Sequence, residues 1–114
     1  MIKVLYIAKD NRENISNEFF ETLNAIKFGF TLRNDLIDFY KQTKPDVVLI
    51  HHNRICFNKD TFAKIDVLKI YWVNDERIPI PKSLIDISKH IDLFLMASDD
   101  SVSEMRKHTK AEYL

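Results

Sequence analysis

Four polar stretches, each following a run of apolar residues, hold most of the side chains in this sequence that could do chemistry. They are Lys9-Asp10-Asn11-Arg12, His51-His52-Asn53-Arg54, Asn74-Asp75-Glu76-Arg77 and Ser98-Asp99-Asp100-Ser101. A carboxylate fixed at a strand end, as Asp75 would be, can take a proton or accept a hydrogen bond from a ligand hydroxyl. The same Asn74-Asp75 pair also suits a plain turn, because both side chains bond their own backbone. His51 and His52 are adjacent, so they point to opposite sides if the strand continues, which makes them a poor chelating pair. One of them facing a cleft would serve as a proton shuttle. The catalytic candidates are therefore Asp75, His51 and His52, and Asp10, Asn53, Asn74, Ser98 and Asp99 are the candidates for ligand contacts. Each competes with a plainer account. Loops are polar because they meet water, Ser98 and Ser101 suit helix caps, and Arg12, Arg54 and Arg77 can be solvated as readily as they recognise an anion. His90 and His108 fall near predicted helix C-termini, where a cation suits the dipole.

The elements that would position these groups follow from hydrophobic periodicity. Ile2 to Ala8 reads as a first strand. Ile15, Phe19, Leu23 and Ile26 recur at helical steps and predict a helix from Ile15 to Phe28. Phe28 to Leu32 is a candidate short second strand. Leu36, Phe39 and Tyr40 mark a helix stopped by Pro45. Asp46 to His51 is the third strand, Phe62 and Ile65 mark a short helix, and Leu68 to Val73 is the fourth strand. A helix starting near Pro81 carries Leu84, Ile87 and Ile91. Asp92 to Ala97 is the fifth strand, Ser101 to His108 a helix with Ser101 and Glu104 as a capping box, and Ala111 to Leu114 the start of a sixth strand. Continuous apolar strands alternating with helices predict an α/β fold, an open, mostly parallel Rossmann-like sheet of five or six strands with helices on both faces. Ligands in such sheets sit beyond the carboxyl ends of the strands, where all four polar stretches would lie. Trp72 is expected to pack between sheet and helix.

Composition narrows the functions. A chain of 114 residues with 30% charged residues fits one globular domain. Lysine plus arginine equals aspartate plus glutamate, 17 each, which argues against a nucleic-acid partner held by a basic surface. The apolar runs are too short for a transmembrane segment, and the N-terminus lacks the pattern of a secretion signal, so a cytoplasmic location is expected. One cysteine, Cys56, rules out an internal disulfide framework and a cysteine-based zinc site. One glycine, Gly29, is too few for a Walker A or a G-x-G-x-x-G loop, so no nucleotide cofactor of those kinds is expected.

Size and strand–helix alternation also resemble a phosphoacceptor receiver domain. Such domains carry an aspartate after the third strand and gather acidic groups around magnesium. Here His51-His52 stands in the acceptor's place, so neither a working receiver nor a metal site at Asp10, Asp75 and Asp99 is expected. Four segments together, "KPDVVLIHH" (44–52), "LKIYWVNDE" (68–76), "HIDLFLMASDDSVSEM" (90–105) and "AEYL" (111–114), resemble the N-terminal half of GT-B-fold glycosyltransferases, closest to the spore-maturation-protein-like group. The positions that carry the likeness are Lys44-Pro45-Asp46, Trp72 with Asp75, and Asp92 with Ser98-Asp99. Lys9-Asp10-Asn11 and Thr109-Lys110 depart from it, standing where glycines are usual. The resemblance implies an acceptor-side domain that is incomplete for sugar transfer and needs a nucleotide-sugar-binding second domain or subunit.

Two other functions compete. One is a non-catalytic interaction module using the apolar edge at Ala111 to Leu114. The other is a small carboxylate–histidine enzyme, ranked last because the expected strand order, 3-2-1-4-5, separates the third strand from the fourth.

Overall fold

A computed structural model describes residues 2–8, 25–30, 33–51, 57–73 and 80–113. Six strands form one sheet in the order β2-β1-β3-β4-β5-β6, and every neighbouring pair is parallel. They are β1 (Val4–Ala8), β2 (Ala25–Gly29), β3 (Val47–His51), β4 (Leu68–Val73), β5 (Leu93–Met96) and β6 (Ala111–Tyr113). The helices among the described residues are α1 (Leu36–Thr43), α2 (Lys59–Ala63), α3 (Lys82–Ile87, continued by a 3-10 turn at Ser88–His90) and α4 (Asp99–Met105). This is the open Rossmann-like α/β sheet that the alternation of periods implied.

The order departs from 3-2-1-4-5, and burial supplies the reason. In β3 only Val47 is half-buried, and Val48 to His51 are buried. A strand apolar on both faces needs a neighbour on each side. The exposed Lys27 leaves β2 suited to an edge instead. β3 therefore lies inside the sheet, between β1 and β4, and β2 takes the edge.

Two boundaries also moved. The second strand runs from Ala25 to Gly29, over the end of the expected helix and three residues before the expected strand. Ile26 and Phe28 flank the exposed Lys27 in a two-residue alternation that the helical spacing of Ile26 concealed. The rest of that expected helix lies outside the described residues. In α4 the cap is Ser98, not Ser101: the Ser98 hydroxyl accepts the Ser101 N–H at 3.2 Å, and the helix begins at Asp99. Glu104 pairs instead with Lys107, at 2.9 Å.

All four described helices pack on one face of the sheet. Leu36, Phe62, Leu84, Ile87, Val102 and Met105 meet Leu5, Ile7, Val48, Ile50, Tyr71, Val73, Phe94 and Met96 in one core. Right-handed crossovers that all step in the same direction, from β2 through to β6, require this. The opposite face carries Val4, Tyr6, Ala8 and Leu49, with Val47, Ile70 and Trp72 packed around them.

A repeated device sets the amino edge of the sheet. Lys3 N–H donates to Asp46 Oδ2 at 2.7 Å, and Asp46 N–H returns a bond to the Lys3 carbonyl at 2.8 Å. Lys69 and Asp92 repeat the pair at 2.8 and 2.9 Å. Buried Lys69 satisfies its ammonium on the Ile65 and Val67 carbonyls, at 2.7 and 3.1 Å. Just before α1, Arg33 forms a two-point pair with Asp35 at 2.9 and 2.6 Å and lies 4.2 Å from the Phe39 ring centroid. The Arg33 hydrogen bond holds the Asp35 carboxyl below its ordinary range.

Candidate functional site

Because every strand is parallel, the ends at Ala8, His51, Val73 and Met96 share the carboxyl edge. The chain steps from β1 to β2 on one side and on to β3 on the other, so strand order reverses between β1 and β3. That switch point is where open α/β sheets place ligands.

Three side chains meet there, on the face opposite the described helices. His51 ends β3 and lies beside Trp72 of β4 in register. Their rings stack with centroids 4.1 Å apart and planes 10° from parallel. Across the switch point the Tyr6 hydroxyl is hydrogen-bonded to His51 Nδ1. The Tyr6 and His51 ring centroids lie 5.9 Å apart. Ala8, the next residue of β1 on this face, carries only a methyl group. The Tyr6 ring can therefore lean along its strand to reach His51.

His51 is 4% exposed and Tyr6 2%, whereas Trp72 is half-buried. A buried imidazole and phenol need partners, and here each supplies the other's. The bond also couples His51's two nitrogens. If the Tyr6 hydroxyl donates, Nδ1 accepts and a neutral ring carries its proton on Nε2. If Nδ1 donates, Nε2 becomes the basic nitrogen. Trp72 covers one face of the imidazole and keeps part of its own ring at the surface.

Ser98 and Asp99 begin at the same edge, beyond β5. Ser98 is half-buried and engaged as the α4 cap, donating as well to the Ser101 hydroxyl at 2.9 Å. Asp99 is exposed in the first turn of α4, where a carboxylate favours the helix dipole. Asp10, His52, Asn53, Asn74 and Asp75 lie outside the described residues. Their segments continue from the adjacent strands β1, β3 and β4, whose carboxyl ends the sheet brings side by side. The separation of the third and fourth strands expected from the sequence is therefore corrected, and His51 lies directly beside the strand that leads to Asp75.

Tyr6 was not among the sequence candidates. A tyrosine two residues before the end of an otherwise aliphatic strand was the available signal, since its hydroxyl needs a partner if buried. Trp72 is not between the sheet and a described helix; it is stacked on His51. Asp46 and Asp92, two of the positions behind the family resemblance, work at the amino edge, far from this cluster. Among the described residues no group of three or more His, Cys, Asp or Glu side chains could hold a metal ion, and no helix is long and apolar enough to cross a membrane. No family model, curated protein or solved structure matches the chain.

Proposed function

We propose that this chain is the acceptor-side domain of a glycosyltransferase-like protein, incomplete for sugar transfer without a second domain or subunit that binds the nucleotide-sugar. The observation that carries the reading is the Tyr6–His51–Trp72 cluster at the β1–β3 switch point. A half-buried indole offers an apolar plate against which the C–H face of a sugar ring can lie. The imidazole behind it is held in one orientation by Tyr6. Asp75, on the segment that leaves β4, is the candidate base toward an acceptor hydroxyl, and Asn74 and Asn53 are candidate hydrogen-bonding partners. The order of the four segments that resemble the GT-B acceptor half supports the same assignment.

Trp72 is the chain's single tryptophan, so its emission reports on the site directly. Mono- and oligosaccharides titrated against the isolated chain should change that emission saturably and weakly, with Kd in the millimolar range. Tyr6→Phe and Asp75→Asn should each weaken the binding. Nucleotide-sugars alone should give no turnover. Transfer or hydrolysis by the isolated chain, abolished in Asp75→Asn, would instead favour a stand-alone carboxylate–histidine site, which the adjacency of β3 and β4 makes geometrically open. No emission change with any saccharide, in a chain shown to be folded, would remove the acceptor-site reading.

A further inference from the structure

A second surface lies on the helical layer, away from the Tyr6–His51–Trp72 face. A groove of about 680 Å³ runs between α2 and α3 and continues to the 3-10 turn. Lys59 and Lys82 stand toward the carboxyl edge of the sheet, and Lys89 and His90 toward its amino edge. Ile85 and Ile87 lie between them and give the groove an apolar stretch. Lys59, Lys82 and Lys89 are all exposed, and none forms an ion pair with a described residue. Among the described residues, the groove lining therefore holds three lysine charges against one carboxylate, Asp86, on a chain whose formal net charge is zero.

We infer that this groove docks an acidic peptide segment of a partner protein, with acidic residues flanking a central apolar side chain. Charge complementarity selects the sign of the partner. From Lys82 to Lys89 is seven residues of helical rise, roughly 10 Å. An extended peptide covers that span in roughly three residues. Acidic groups at both ends of such a segment would reach Lys59 or Lys82 and Lys89 together, with the middle side chain resting on Ile85. The inference does not depend on what the carboxyl edge binds.

The test uses the whole chain, isotopically labelled, and an end-blocked five-residue peptide of two glutamates, a leucine and two glutamates. Saturable amide shifts are expected, confined to residues 58–64 and 82–90. Affinity should fall as salt rises and fall about tenfold or more in the triple variant Lys59→Glu, Lys82→Glu, Lys89→Glu, since electrostatic complementarity sets partner choice. Circular dichroism should show that the variant melts as the parent does; if it does not, the single variant Lys89→Glu replaces it, with at least a twofold loss expected. A control peptide with glutamine for every glutamate should not bind. Shifts spread over all the surface lysines, or equal binding of the glutamine peptide, would overturn the proposal. A short single-stranded oligonucleotide that shifts the same residues at lower concentration than the peptide would overturn it in favour of a nucleic-acid partner.

Discussion

The Tyr6 hydroxyl is one oxygen atom, yet it joins two strands across the switch point and engages His51 Nδ1 as donor or as acceptor. Its removal is the sharpest single-atom test of the cluster. Tyr6→Phe leaves the ring packing intact and strips a buried imidazole nitrogen of its partner, so a loss of about 1–3 kcal/mol is expected. Equilibrium urea unfolding would register this as a lower midpoint at unchanged slope. A loss within a few tenths of a kcal/mol would mean that His51 finds another partner at once. At this scale the sequence was only partly legible. His51 was recognisable as a polar residue closing an apolar strand, but its ring contacts depend on which strands lie side by side, and Trp72 reads as ordinary core until β4 is placed next to β3.

At the scale of elements, helix ends show where local chemistry decides. Lys44 terminates α1 at φ 48°, the single positive φ among the described non-glycine residues, and donates its N–H to the Tyr40 carbonyl at 3.0 Å. A side chain in that left-handed conformation costs about 1–2 kcal/mol, which glycine avoids. Lys44→Gly should therefore raise stability by roughly 1 kcal/mol even though it removes an exposed side chain. Thermal unfolding would check it, and a lower midpoint would show that the Lys44 side chain contributes more than its backbone costs. The fourth strand was legible residue for residue, Leu68 to Val73, because the β-favouring run Ile70 to Val73 stops sharply at the polar Asn74-Asp75. The second strand was not. Five residues of mixed burial gave too short an alternation to outweigh the helical spacing before them.

At the scale of the whole molecule, alternating periods made the parallel α/β class readable, but not the order of the strands. Strand order is a property of pairs, and periodicity describes one segment at a time. The burial of β3 from Val48 to His51 held the missing information, since it suits an inner strand better than an edge. The carboxyl edge was likewise legible as a place, while its cluster of contacts was not. The order has a mechanical consequence. The Lys3–Asp46 pair clips β1 to β3, and the Lys69–Asp92 pair clips β4 to β5, both at the amino edge. Between β3 and β4 the described side chains supply no such clip at that edge; the His51–Trp72 stack joins those strands at the opposite end. The β3–β4 seam is thus held by its five paired positions, Val47–Leu68 to His51–Trp72, and by one side-chain stack at its carboxyl end. Unfastening it with His51→Ala should speed amide hydrogen exchange along the β3–β4 ladder more than along β1–β3 or β4–β5. Uniform acceleration across the sheet would mean that the strands open only as one body. A ligand resting on the indole would bear on that same stack, so saturating the carboxyl edge should slow exchange along the β3–β4 ladder first.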